Sequence, residues 1–199
     1  MRIGIVSDIH GNAAGLRCAL DRMGDVDILL CAGDVVDEFR FDNATVAILK
    51  ERDAICVLGN HDLGILGVHG ARARSAAHVD HTLLEWLAGR PTSIELRVDG
   101  HDLLMTHASP VAPHTQYVWP LSADLRKIGE VAADYVVIGH THRQLVERVG
   151  RPLVINPGSA GEARDHSNGR QLSYAVLDPA NGDVTIDNYL VGAPVAPGA

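Results

Sequence analysis

The chain has 199 residues, 46% of them hydrophobic and 21% charged, and a formal net charge of −8. That length suits one domain with a closed core, and the composition excludes a disordered or fibrous chain. Seventeen Lys and Arg against 25 Asp and Glu oppose non-specific nucleic-acid binding, because the protein's own field repels a polyanion.

In chain order, short apolar runs alternate with amphipathic segments. Arg2–Ser7 reads as a first strand. Its apolar stretch is too short for a signal-peptide core and no later run reaches membrane-spanning length, so a cytoplasmic protein that engages no membrane is expected. Ala13–Met23 follows as a helix, with Leu16, Leu20 and Met23 on one face and Asn12 as its N-cap. Asp27–Ala32 is the second strand, Asp42–Glu51 the second helix and Ala54–Leu58 the third strand. Ser75–Ala88 reads as a third helix, apolar along Val79, Leu83, Trp86 and Leu87. The strict alternation of Ile94–Val98 before Asp99-Gly100 marks a hairpin into Leu103–Thr106. Ser122–Ala132 is a fourth helix, followed by a strand at Tyr135–Ile138. Gln144–Val149 and Pro152–Ile155 flank Gly150-Arg151, and Ser173–Leu177 and Asp183–Leu190 flank Pro179–Gly182, giving two more hairpins. Cys18, Cys31 and Cys56 lack CxxC spacing and read as buried free thiols. The order βαβαβ followed by antiparallel strands gives a layered α/β fold with two sheets, one domain over residues 1–191. Residues 192–199, made of Gly, Ala, Val and Pro, read as an extended tail.

Each strand leads into a polar cluster: Asp8-Ile9-His10, Gly33-Asp34, Gly59-Asn60-His61-Asp62, Thr106-His107 and Gly139-His140-Thr141-His142. Strand ends are where α/β folds assemble sites, because the sheet fixes the side chains and the loops leave them open. Asp, Asn and His without a thiolate are hard-to-borderline ligands, suited to Mn, Fe, Zn, Co or Ni. A lone Asp-x-His is weak; a second one, Asp99–His101, falls in a hairpin turn and reads as no more than that. The signal lies in the conjunction of the clusters and their order.

The set Asp8-x-His10, Gly33-Asp34-x-x-Asp37, Gly59-Asn60-His61-Asp62, His107 and Gly139-His140-x-His142 resembles the calcineurin-like metallophosphoesterases, and among them the small prokaryotic single-domain phosphoesterases. The match runs from Val6 to about Leu177 and takes in Asp8–Asn12 and Asn156–Asp165. The resemblance implies two mixed β-sheets packed face to face with helices outside, a four-layer sandwich. It implies two divalent ions, manganese as the expected metal, with Fe, Zn, Ni or Co as other occupants. Asp8, His10, Asp34 and His142 would hold one; Asp34, Asn60, His107 and His140 the other. Asp34 would bridge ions about 3.5–4 Å apart. Two divalent ions outweigh the carboxylates of Asp8 and Asp34, leaving the site positive where a phosphate must bind. The implied activity is hydrolysis of a small phosphodiester or phosphomonoester by a metal-bridging hydroxide. The non-ligand His61 would give a proton to the leaving oxygen, with Asp37 orienting it and Asp62 as the competing partner.

Glu38 stands where the Ser/Thr phosphatase branch places an Arg, which argues against a phosphoprotein phosphatase. Arg40, Arg143 and Arg164 are candidate phosphate contacts, Arg164 foremost because it lies in the matched stretch. His107 is followed by Ala108-Ser109-Pro110, where many relatives have Gly-Ser-Pro. The loops Asp62–Ala73, Ala108–Pro120 and Ala160–Arg170 are expected to set substrate choice. Tyr117 and Trp119 either wall a pocket or pack their loop; Trp86 reads as helix packing, and Asn156–Ser159 as a turn supporting His140–His142. His69, His78, His81, His101, His114 and His166 read as surface, cap or loop residues. Two other functions compete: a catalytically silent scaffold or protein-interaction subunit, and a nuclease. The first is opposed by a full ligand set with His61 retained, the second by the acidic charge balance.

Overall fold

The two-residue alternation of the strands decides the layering. The computed structural model describes residues 1–112 and 114–192, so the expected tail lies almost wholly outside the described residues. In β1 (Ile3–Val6), Ile3 and Ile5 point to one side and Val6 to the other. The split recurs in β2 (Ile28–Cys31), β6 (Tyr135–Val137) and β8 (Leu153–Pro157). Leu30, Val137 and Ile155 join Ile3 and Ile5 in a core between two sheets, whereas Leu29 and Cys31 face one set of helices and Val136 and Val154 face the opposite flank. Strands apolar on both faces must be covered on both faces. The helices α1 (Ala13–Met23), α2 (Asn43–Glu51) and α5 (His81–Ala88) cover the first sheet through Leu16, Leu20, Val46, Leu49 and Leu87. The helix α6 (Ala123–Ile128) covers the second with Leu125 and Ile128. The result is the expected four-layer sandwich.

The first sheet runs β10-β9-β1-β2-β3, with β3 at Ile55–Cys56, β9 at Leu172–Asp178 and β10 at Asp183–Tyr189; the second runs β4-β5-β6-β8-β7, with β4 at Ser93–Val98, β5 at His101–Thr106 and β7 at Gln144–Arg148. Both are mixed. The strands β1, β2 and β3 are parallel, as are β5, β6 and β8, and antiparallel strands flank them, β9 pairing with β1 through Ile3–Leu177 and Ile5–Ala175.

Most expected elements are present, and the differences have local causes. Asn12 caps α1, accepting from the Gly15 N–H at 2.8 Å. The third helix begins only at His81, because the Asp80 carboxylate accepts from the Thr82 and Leu83 amides and fixes the start there. The fourth is shorter than expected at its C-terminal end, closing at Ile128 before Gly129. The stretch 62–73, expected as a loop, is largely helical: α3 is Asn60–Leu66 and α4 is Ala71–Arg74. Cys31 and Cys56 are buried, but Cys18 is only half-buried; all three are free thiols. Among the described residues no helix is long and apolar enough to cross a membrane.

Just past β2, Gly33 has a φ of +92°, and a Cβ there would meet Gly59 N at 2.7 Å and His107 Nδ1 at 2.8 Å. Gly24, at the end of α1, has a φ of +67° and nothing within 4 Å. Gly24→Ala is expected to cost about 1–3 kcal/mol through backbone strain alone. Gly33→Ala should cost more, because strain and collision combine; urea unfolding of the two variants measures the difference.

Candidate metal centre

Parallel pairing brings the strand ends to one edge. Val6 pairs with Cys31 and Cys31 with Cys56 in the first sheet, and Met105 with Val137 in the second. Beyond these pairs the chain turns sharply. Asp8, His10, Asp34, His140 and His142 all have φ between +48° and +68°, a left-handed conformation uncommon outside glycine and tolerated best by Asp, Asn and His. Backbone bonds hold the turns: Asp8 N–H donates to Gly33 O at 3.0 Å, and Ile9 N–H and His10 N–H both donate to Asp34 O, at 2.8 and 3.0 Å.

Two groups of side chains converge there. Asp8, His10 and His142 form one and Asp34, His107 and His140 the other, and His10, Asp34 and His61 also cluster. His10 Nε2 and His142 Nε2 are 3.2 Å apart, and His142 Nε2 lies 3.4 Å from Asp8 Oδ1. His107 Nε2 is 3.1 Å from both Asp34 Oδ2 and Asn60 Oδ1. Asp34 Oδ2 is 3.8 Å from His10 Nε2, so its carboxylate borders both groups. All the ligand candidates except Asn60, which is exposed, are buried.

Burial pushes His10, His140 and His142 down to about 4, so their rings are neutral and keep lone pairs for a ligand. Burial alone would raise Asp34 and lower His107, but the two face each other, and Asp34 is held down and His107 up. Burial raises Asp8.

This donor set fits divalent metal ions. His142 Nδ1 lies 3.2 Å from Glu162 O and His107 Nδ1 lies 2.7 Å from Ala32 O. In both rings the bond suits a proton on Nδ1 and turns Nε2 toward the cluster, the arrangement that outer partners impose on metal-ligating histidines; His107 Nε2, which faces Asp34, would release its proton to a metal ion. His10 Nδ1 and His140 Nε2 are buried with no hydrogen-bond partner among the described residues. Imidazole nitrogens and carboxylate oxygens thus crowd together with ring nitrogens left unpartnered, an arrangement that a cation stabilises.

The support comes from Asp62, from Glu162 and from the Asn156–Ser159 turn, which holds the His140–His142 loop as expected. Asp62, weighed as a partner for His61, accepts from Gly59 N–H at 2.9 Å, Val36 N–H at 3.0 Å and Val35 N–H at 3.2 Å. It ties α3 to the Asp34 loop and is buried. Asn156 Nδ2 donates to Gly139 O at 2.7 Å and Thr141 Oγ1 at 3.1 Å. Ser159 Oγ donates to Asp8 O at 2.7 Å and accepts from Glu162 N–H at 2.7 Å. Glu162 Oε2 lies 3.9 Å from His10 Nε2 and from His142 Nδ1 and ion-pairs with Arg164. The signal for Asn156 and Ser159 was the Asn-Pro-Gly-Ser run; Glu162 had none beyond its place in the matched stretch.

His61 lies edge-on to His10 with ring centroids 4.6 Å apart, and its Nδ1 has no hydrogen-bond partner among the described residues. Asp37 is half-buried and accepts from Phe39 N–H at 3.1 Å. Arg164 and Arg143 line a cavity over His140 and His142 together with Tyr117 and Trp119, and Arg40 lies outside it. His166 and His114 are exposed residues of turns outside the helices and strands, as expected; the first also lines that cavity and the second another. His69, His78 and His81 are exposed, and His101 stands edge-on to Tyr135 at 5.6 Å.

The profile of the calcineurin-like phosphoesterase superfamily domain matches residues 1–182. A phosphodiesterase from Methanocaldococcus jannaschii is 30% identical over 169 residues, covering 79% of this chain and 83% of that relative. A symmetrical bis(5'-nucleosyl)-tetraphosphatase from Paracidovorax citrulli is 32% identical over 151 residues, 67% of this chain and 51% of the relative. The crystal structure of a metallophosphoesterase from Sphaerobacter thermophilus has a TM-score of 0.78 at 24% identity, covering 96% of this chain and 89% of that one. In sequence and in fold the chain belongs to the calcineurin-like phosphoesterase superfamily, and its relatives there include enzymes named as a phosphodiesterase and a tetraphosphatase.

Proposed function

We propose that this chain hydrolyses a small phosphodiester or phosphomonoester with two divalent metal ions, manganese the expected one. The observation that carries the reading is the convergence of carboxylate oxygens and imidazole nitrogens on both sides of Asp34, with His10 and His142 held neutral. Asp8, His10, Asp34 and His142 would hold one ion and Asp34, Asn60, His107 and His140 the other. Bound there, such ions supply an acidified water and positive charge against the phosphoryl oxygens.

The remaining work falls to the chain's own side chains. His61 is no ligand in this reading; its backbone N–H donates to Asp34 Oδ1 at 2.8 Å, which anchors the residue while leaving the ring free to protonate the leaving oxygen. Asp62 is occupied by three backbone amides, so the orientation of His61 falls to Asp37, whose charge already acts on the neighbouring His10. Arg164, exposed and paired with Glu162, would exchange that partner for a phosphoryl oxygen.

Two substitutions separate ligand from acid. Asp34→Asn should lower bound metal, measured by elemental analysis, together with activity, because a neutral amide bridges two cations poorly. His61→Ala should keep both metals and lose roughly 10²–10⁴-fold in rate. The loss should be small for aryl esters with good leaving groups and large for alkyl esters. Single-metal His61→Ala protein, or a loss independent of leaving-group pKa, excludes the assignment.

Chelation gives a further expectation. Ions bound only by the folded state stabilise it by about 4 kcal/mol per site at a thousandfold excess over Kd. Removing them should therefore lower the thermal midpoint, and restoring manganese should recover it; a midpoint unmoved by chelator and metal counts against a metal centre here.

A further inference from the structure

Two cavities open beside His140, and their walls differ in kind. The first, about 330 Å³, lies over His140 and His142 and is bounded by Tyr117, Trp119, Arg143 and Arg164. Tyr117 lies flat on the His140 ring, with centroids 3.8 Å apart and planes 24° from parallel, and Trp119 lies within 6° of the Tyr117 plane at 5.8 Å. Both rings are almost half exposed, at 46% and 44%. They form a stepped aromatic face with guanidinium groups beside it, a surface suited to a flat heterocycle.

The second cavity, about 540 Å³, also reaches His140, with His107 and Asn60 on its floor. Its walls are mainly carbon, from Leu58, Leu63, Leu104, Ala108 and Pro110. Among the described residues of its lining there is no Arg or Lys, and Glu95 is its acidic member. A group carrying a further phosphate would meet Glu95 there and no guanidinium or ammonium group on the walls, whereas an uncharged aliphatic group would bury carbon against carbon. Both volumes fall in the range of about 300–1,000 Å³ usual for small-ligand sites.

We propose that the substrate is an unsymmetrical phosphodiester. A flat heterocycle of nucleoside type lies on the Tyr117–Trp119 face, an uncharged aliphatic ester group lies in the groove under Leu63 and Leu104, and the phosphoryl group sits between them at His140. A monoester would leave one cavity unused, and a diester with two nucleosides would place a polar ring in the apolar one. The placing of the phosphoryl group rests on the phosphoesterase reading above; the two arms rest on the cavity walls.

Binding and turnover test these separately. The chain has two tryptophans, and Trp86 sits on α5 under the Arg90 guanidinium, outside both cavities, so Trp86→Phe leaves Trp119 as the reporter. Metal-loaded protein is titrated with adenosine 5'-phosphorothioate O-alkyl esters from methyl to hexyl, and with dialkyl phosphorothioates that lack the base. The nucleoside esters should quench Trp119, and their Kd should fall with chain length by up to about fourfold per buried methylene. Dialkyl compounds should leave Trp119 unquenched and bind at least tenfold more weakly. Leu63→Asp should abolish the chain-length dependence but keep the quenching, and Tyr117→Ala should bring the nucleoside esters close to the dialkyl ones. Affinity that is flat with chain length in the unmodified cavity, or equal with and without the base, overturns the proposal even if Leu63→Asp fails to fold. Hydrolysis of the parent phosphate esters without chain-length dependence in KM overturns the proposal and leaves the phosphoesterase reading intact. The expected binding with no hydrolysis of any parent ester supports the two arms and overturns that reading instead.

Discussion

Asp34 carries a carboxylate into a place with almost no water, and the surrounding chain supplies what water would have given. The His61 amide donates to one oxygen, and the His107 ring meets the other. Gly59 comes so close that a Cβ in its place would stand 2.1 Å from Oδ1, so only glycine lets β3 end where Asn60 can face the same centre. The Asp34 carbonyl, meanwhile, accepts the amides of Ile9 and His10. One residue thus fixes the ends of β1, β2 and β3 to one another, and through His107 fixes the second sheet to the first. A buried charge of this kind is tolerable only with its partners in place, which makes the position demanding of everything around it.

The left-handed turns extend the same logic. Each non-glycine residue in that conformation costs energy that the surroundings must offset, and five of the ligand candidates adopt it. Asp62, Asn156 and Ser159 provide the offset. Each is a buried side chain that hydrogen-bonds loop backbone near the ligands. Their polar atoms are spent on the scaffold, so they hold the loops still while the ligands remain free to bind.

The sequence made the strands and the polar clusters legible for one reason. Strands that are apolar on both faces leave short uninterrupted runs, and the residue after each run has no choice but to sit at the sheet's edge, as Ser7-Asp8 and Ile138-Gly139-His140 do. The helix α3 was hidden because Gly64, Gly67 and Gly70 break any apolar period there, and because its first turn is fixed by Asp62 reaching back to Gly59 N–H. The early end of the third-helix expectation failed for a comparable reason, since Val79 is buried without being helical and so imitates a helix face. Asp62 could not be told from a catalytic partner by position alone: the neighbour of His61 in sequence points its carboxylate into the scaffold. The stacking of Tyr117 on His140 joins residues from two separate loops, and no local pattern announces it.

The pairing of β1 has a consequence for the order in which the molecule can be completed. This first strand lies in the interior of its sheet, with β2 on one side and β9, from residues 172–178, on the other. While residues 139–178 are undocked, β1 can pair with β2 and β2 with β3, yet one edge of β1 stays open and Asp8 lacks both the Ser159 hydroxyl and the His140 amide that hold it. Contacts between such distant segments bear the full entropy of closing a long loop and form late. The centre therefore comes into being late in folding, from segments far apart in the chain, and a misdocked β9–β10 hairpin would leave β1 bare as a pairing edge.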